Sequence, residues 1–136
     1  MKVKLDPGAI MPTRAHKDDA GLDLYSTANI TIGPYSRSAI DTGVHVAIPH
    51  GFVGLLTSKS GLMRKKGITC RGTIDSGYTG SIQAVIFNES GLPVDIKHGD
   101  KITQLVIIPC ITPELEVVDA LDQTDRGDRG FGSTGR

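Results

Sequence analysis

Tryptophan is absent from this chain of 136 residues, and phenylalanine and tyrosine supply only three residues each. So few aromatics leave the core to aliphatic side chains and make each ring worth placing. Cysteine is limited to Cys70 and Cys110. Neither makes a metal spacing with the other or with His16, His45, His50 or His98, so both read as buried, reduced thiols. Net charge is missing too, because fifteen basic and fifteen acidic residues cancel. A whole-surface binder of duplex nucleic acid shows a basic excess, so direct nucleic-acid binding is disfavoured and any anion site must be built locally. No apolar stretch approaches the ~20 residues of a membrane span. The opening Met1-Lys2-Val3-Lys4-Leu5-Asp6-Pro7 carries charge with no apolar run behind it, unlike a secretory signal. The expectation is a cytoplasmic protein with no membrane contact.

Glycine is plentiful instead. There are seventeen, joined by seven prolines, against a usual glycine share of about 7%. Such punctuation breaks the chain into short elements and argues against long helices or coiled coil. A mass of 14.4 kDa fits one domain, which on area scaling buries about two-thirds of its extended surface and needs no disulfide staples. Apolar alternation predicts strands over residues 44–48, 52–56, 82–87 and 101–108. Shorter strands are predicted over 29–32, 37–40, 94–96 and 115–118. β-Branched enrichment with turn chemistry between the runs describes an antiparallel sandwich or barrel. One helical turn fits residues 60–66, with Ser60 as its cap. From residue 119 hydrophobicity collapses, and a tail of this composition cannot bury enough to order itself alone.

Polar, glycine-punctuated clusters interrupt the strands. The first is Asp19-Ala20-Gly21-Leu22-Asp23-Leu24-Tyr25, the second Ser58-Lys59-Ser60-Gly61-Leu62, and the third runs from Gly72 to Gly80. The fourth is the tail from Asp125 to Arg136, and Gln104 stands as a lone polar group among Ile102, Leu105 and Val106. Small residues admit backbone N–H groups to an anion, a hydroxyl donates to it, and the Lys59 ammonium adds a point charge. The tail repeats these ingredients with Arg126, Arg129, Ser133 and Thr134. A Gly- or Ser-rich loop alone is ordinarily only a turn, but two anion cradles in a neutral chain suggest a polyphosphate. Asp75 falls at a strand-to-turn junction, where a carboxylate either caps the turn or does chemistry. Tyr78 offers a face on which a sugar or base can pack.

Taken together and in order, these clusters resemble the five motifs of the homotrimeric deoxyuridine triphosphatases (dUTP diphosphatases, or dUTPases). The resemblance spans Asp19 to Gly135. Gly72-Thr73-Ile74-Asp75 with Tyr78, and Arg126-Gly127 leading to Gly130-Phe131-Gly132-Ser133-Thr134-Gly135, are its most specific parts. It implies an all-β, distorted jelly-roll barrel over residues 1–118 with a flexible arm over 119–136. It also implies a homotrimer with shared active sites: one subunit supplies the first, second and fourth motifs, its neighbour the third, and the remaining one the arm. The implied activity is hydrolysis of dUTP to dUMP and pyrophosphate, limiting uracil in DNA and supplying dUMP for thymidylate synthesis, with Mg²⁺ on the triphosphate.

The roles carried over are as follows. Asp75 would be the general base for water attacking the α-phosphorus, and Gln104 would help hold that water. Lys59, Ser60 and Gly61 would bind phosphates, and Asp23 would reach Mg²⁺ through water. Tyr78 would pack beneath the deoxyribose. The uracil edge would be read near Thr69, Gly72 and Gln83, with Thr73 and Ile74 also lining the nucleotide. Phe131 and Gly132 would cover the base while Arg126, Ser133 and Thr134 close on the outer phosphates. Four departures stand out: Lys59 where the family usually has Arg, Gly77 for a common second acid, Arg129 for a usual Gly, and a link from Gly67 to Gly72 about three residues short. A dCTP deaminase on the same fold would need a carboxyl at the cytosine ring, and no Glu lies near Asp75 or Tyr78 in the sequence. A nucleotide-sensing module that contacts a regulatory protein partner stays open beside the enzyme.

Overall fold

A computed structural model describes residues 1–130. Ten strands and one short helix follow in chain order. They are β1 (Lys2–Leu5), β2 (Gly21–Tyr25), β3 (Ile30–Ile32), β4 (Arg37–Asp41), β5 (Val44–Ala47), β6 (Phe52–Thr57), α1 (Ser60–Lys66), β7 (Ile68–Ile74), β8 (Gln83–Asn88), β9 (Val94–Ile96) and β10 (Lys101–Pro109). Six strands form one antiparallel sheet in the order β2-β10-β6-β7-β8-β4, and the pairs β1-β5 and β3-β9 stand beside it. The sheet curls into a half-barrel, and the expected all-β, jelly-roll-like architecture is what is found.

Alternation divides the sheet into two faces. Leu24, Leu56, Ile74, Ile86 and Leu105 point into a core completed by Ile32, Ile40, Val44, Ile68, Ile82 and Ile102. Among the described residues no aromatic ring is buried in the core, and β-branched side chains dominate it, as the composition foreshadows. Gly54 lets the layers close. A Cβ there would stand 2.8 Å from both Ile48 Cδ1 and Leu105 Cδ1, too near for any side chain to enter without displacing them.

The predicted strands appear with one exception. Residues 115–118 form no strand; Leu115 and Val117 are 95% and 100% exposed. Among the described residues nothing pairs with that segment, and an apolar run without a ladder partner cannot hold extended pairing. Three further strands were not anticipated: β1 in the charged opening segment, and β2 around Asp23 and β7 ahead of Asp75, both inside polar clusters. Helix α1 runs as expected, but its cap differs. Lys59 occupies the N-cap position with no side-chain hydrogen bond, and Ser60 is the first helical residue. At the other end Gly67 takes φ 64° as C-cap, the left-handed conformation that glycine adopts without strain. Both thiols are free, yet only Cys70 is buried; Cys110, beyond the last strand, is half-exposed.

Candidate active site

On the sheet's outer face the register sets four polar residues in one row. Asp23 on β2 pairs with Gln104 on β10, Gln104 with Thr57 on β6, and Thr57 with Arg71 on β7. The Asp23 side chain is only 6% exposed. It is covered by the segment at Thr13, whose backbone bonds it in an isolated bridge, and by two lysines. Lys59 Nζ donates to Asp23 Oδ1, and Lys101 Nζ lies 2.8 Å from Oδ2. Burial pushes the Asp23 carboxyl up, but hydrogen bonds from Lys101 and Lys59 outweigh it and hold the group below the ordinary carboxylate range. The bond from Lys101 to Asp23 raises the lysine in turn. The carboxylate is therefore ionised and oriented, one ammonium to each oxygen.

Gln104 owes its place to a missing side chain. A Cβ on Gly21 would stand 2.4 Å from Gln104 Oε1, so glycine leaves the space in which the amide lies. The Gln104 Nε2 donates to Ser58 O at 3.4 Å. The Ser58 hydroxyl donates to Cys70 O at 3.1 Å and accepts from Cys70 N at 2.9 Å, which pins the loop carrying Lys59 onto β7. Ser60 and Gly61 beyond it are exposed, and nothing lies within 4 Å of a Cβ built on Gly61. The Thr57 hydroxyl is buried in the middle of the row with no hydrogen-bond partner among the described residues. Sequence reasoning missed it, as it missed Lys101, because neither departs from ordinary strand composition.

Asp75 and Tyr78 lie elsewhere. The β6-β7 register sets Ile74 opposite Gly54 and Arg71 opposite Thr57, so Asp75 leaves the sheet about 13 Å further along the strands from the first row. A single chain thus does not bring Asp75 together with Asp23, Lys59 and Gln104. Asp75 is exposed at the head of a turn closed by Tyr78 N donating to Asp75 O at 3.0 Å. The Tyr78 hydroxyl donates to Ser81 O at 2.8 Å, and the ring covers Gly80, where a Cβ would meet its hydroxyl at 2.5 Å. The ring is thereby held with 43% of the residue exposed. The Ser81 hydroxyl donates to Asp41 Oδ1. Burial raises the Asp41 carboxyl, and bonds from Ser81, the Gly43 amide and Gln83 more than offset that.

Pairing between β7 and β8 runs from Ile68 opposite Asn88 to Cys70 opposite Ile86 and then stops. The strands part beyond it, leaving Gly72 and Thr73 exposed. Thr69 donates to Glu89 Oε1 at 2.8 Å. Gln83 lies at the far end of β8, opposite Asp41, so the structure does not bring Thr69 and Gln83 together. Ile74 has its side chain in the core, and only its backbone is available to a ligand. Arg126 is exposed and donates to Arg129 O at 3.1 Å. Phe131, Gly132, Ser133 and Thr134 lie outside the described residues.

No group of three or more His, Cys, Asp or Glu residues able to hold a metal occurs among the described residues. A lone ionised carboxylate fits a hard cation that brings its own phosphate and water ligands, and does not fit a closed protein cage.

Residues 8–135 match the family model of the dUTPases. The deoxyuridine 5'-triphosphate nucleotidohydrolase of Corynebacterium efficiens is 44% identical over 98% of this chain and 76% of its own length. That of Mycolicibacterium gilvum is also 44% identical, over 98% of this chain and 92% of its own. Among solved structures, the Staphylococcus bacteriophage 80alpha dUTPase with dUPNHPP superposes with a TM-score of 0.92 at 36% identity, covering 99% of this chain and 98% of that one. A D95N mutant dUTPase of phage phi11 of S. aureus, described with a structural Mg(II) ion, has a TM-score of 0.80 at 36% identity, over 88% of this chain and 96% of that one.

Proposed function

The chain belongs to the dUTPase family and hydrolyses dUTP, and we propose that it does so in sites assembled between copies, with Asp75 of one copy facing Asp23, Lys59 and Gln104 of another. One observation carries this reading: groups suited to phosphate gather at one end of the outer face, while Asp75, at the head of the turn bearing Tyr78, stands about 13 Å away along the strands. Two partial sites at opposite ends of one sheet become whole when copies meet. A homotrimer closes such an arrangement. The outer face offers half-buried Val53, Leu55 and Val106 to a neighbour.

In this mechanism Asp75 accepts a proton from a water molecule as its oxygen bonds to the α-phosphorus. The bond from that phosphorus to the bridging oxygen breaks, and pyrophosphate leaves, with dUMP remaining. Gln104, held by Gly21 and Ser58, orients the water or an adjacent phosphate oxygen. Lys59 exchanges its bond to Asp23 for the triphosphate, as a point charge where a guanidinium would bind in two-pronged fashion. Ser60 donates its hydroxyl near the scissile bridge, and Gly61 leaves the backbone open to phosphate. Asp23 is the residue that would hold Mg²⁺ through water, and that ion, when bound, neutralises phosphate charge. Arg126, with Phe131, Gly132, Ser133 and Thr134, closes over the base and the outer phosphates.

Specificity in this reading follows from fit. Tyr78 beneath the deoxyribose leaves no room for a 2′-hydroxyl. The opening between β7 and β8, with Gly72, Thr73, the Ile74 backbone and Gln83, takes the uracil, while Thr69, paired opposite Phe87, lies outside it. A loose apolar pocket distinguishes a methyl-sized group by only about 1–3 kcal/mol, so thymine is rejected by steric exclusion. No described helix is long and apolar enough to cross a membrane, and a cytoplasmic location completes the proposal.

The test is pyrophosphate release with Mg²⁺ from dUTP, dTTP, dCTP and UTP. Release from dUTP alone is expected, and Asp75→Asn should lower it by at least about a hundredfold. An undiminished Asp75→Asn enzyme would remove Asp75 from its role. Sedimentation should find three chains together; a stable, active monomer would end the shared-site arrangement.

A further inference from the structure

Between the N-terminal strand and the loop bearing Tyr78, one imidazole touches both. His45 lies on β5, opposite Lys4 of β1, with a side chain only 17% exposed. Its Nε2 is 2.9 Å from Asp6 Oδ2 and its Nδ1 is 2.8 Å from Thr79 O. Asp6 is itself fixed: its amide donates to Gly43 O at 2.9 Å, and Lys4 Nζ lies 3.3 Å from its other oxygen. Thr79 is the residue after Tyr78. From β1 through Asp6 and His45 to Thr79, an unbroken series of contacts ends on the backbone beside the aromatic ring.

We infer that His45 is a positioning residue for dUTP hydrolysis, setting the loop that carries Asp75 and Tyr78 by holding Thr79 against the N-terminal strand. This inference rests on the placing of Tyr78 beneath the sugar. The loop's other anchors lie further on, at Ser81 through Asp41 and at Ile82 through its amide to Val44 O. Through Ser81 O, which accepts from the Tyr78 hydroxyl, they reach the ring tip, but they leave the backbone of the turn from Asp75 to Tyr78 to other contacts. His45 grips nearest to that turn.

Carbonyl and carboxylate oxygens only accept hydrogen bonds, so an imidazole serves both only when both nitrogens carry protons. The bond to Asp6, followed by that to Thr79, raises the His45 group above its ordinary value. The charged groups facing the ring are Asp6 and, along the same cleft, Lys2 and Lys4 of β1. Asp41 of β4 adjoins the same loop through Ser81. When the ring loses a proton, one of its two contacts must go and the grip on the loop slackens.

The experiment compares wild type, His45→Ala and His45→Gln for KM and kcat on dUTP, and for affinity toward a non-hydrolysable dUTP analogue, from about pH 6 to about pH 9. His45→Ala should raise KM and weaken analogue binding by about three- to tenfold near neutral pH, with kcat changed far less. His45→Gln, whose amide can still donate to Thr79 O, should recover much of this loss. Wild-type KM should climb toward alkaline pH, whereas that of His45→Gln should not. Melting temperature and sedimentation, measured alongside, identify a variant that has lost its fold or assembly; His45→Gln then carries the test through its pH profile. Unchanged KM in His45→Ala, or a His45→Gln profile with the wild-type slope, would overturn the inference. Tyr78→Ala separates the two levels. If it too leaves binding unchanged, the sugar platform is wrong; if it weakens binding while the His45 variants do not, only the tether is wrong.

Discussion

Gly21 and Gln104 show how an absent side chain can set a functional one. The glycine makes no contact with substrate in the proposed mechanism, yet a methyl group at that position would occupy the space of the Gln104 amide. The displaced atoms are the far end of a flexible side chain, so the sheet can accept the change. Gly21→Ala should therefore fold with nearly wild-type melting temperature and lose about tenfold or more in kcat through a misplaced amide. Thermal unfolding and steady-state turnover on one preparation check both halves, and unchanged kcat would remove Gln104 from the mechanism. Gly61 makes an instructive contrast, because open space surrounds it. Any harm done by Gly61→Ala must come from a ligand that needs the backbone there.

At the scale of elements, close approach across the sheet governs stability. Gly54→Ala on β6 would press on Ile48 and Leu105 at 2.8 Å. Overpacking of this kind should cost about 1–3 kcal/mol in urea unfolding, and no loss would mean that the layers have slack there. The β1-β5 pair has its own pH dependence. The bond from His45 holds the Asp6 carboxyl below its ordinary value, and Asp6 raises His45 above its own. A lowered acid contributes stability above its unfolded pKa and loses it as pH falls through the folded value; a raised imidazole contributes below its unfolded pKa and loses it as pH rises through the folded value. Melting temperature should thus be supported between those limits and decline outside them, and His45→Gln should flatten the alkaline side. What the sequence made legible divides along similar lines. Strands such as β5, β8 and β10 could be read because β5 alternates cleanly and β8 and β10 carry short β-branched apolar runs bounded by turn residues. β2 was obscured because Gly21 and Asp23 occupy its outer face, where a sheet tolerates polar groups. Residues 115–118 misled because their pattern is that of a strand while no partner lies among the described residues. The ordered motifs identified Asp23, Lys59 and Gln104, which the fold does gather. They could not reveal that Lys101 shares Asp23, because one lysine among strand residues carries no signal until the register is known.

For the whole molecule, the accessible surface of 9,627 Å² exceeds the roughly 6,800 Å² of a compact 14.4 kDa monomer. Much apolar surface is left bare after Pro109, where Ile111, Leu115, Val117 and Leu121 are 87–100% exposed. In the proposed arrangement of sites shared between copies, activity depends on association, so diluted enzyme should lose specific activity as chains separate, in step with sedimentation. Truncation before Arg126 should lower turnover by about a hundredfold or more while leaving the assembly intact; full activity without those residues would remove the tail from the site. The aliphatic core brings a practical benefit. Tyr25, Tyr35 and Tyr78 all lie outside it, and no indole is present to drown their emission. A nucleotide titration followed by tyrosine fluorescence should therefore sense the ligand through Tyr78 with no engineered dye, and replacing that one phenol with Phe should silence the response.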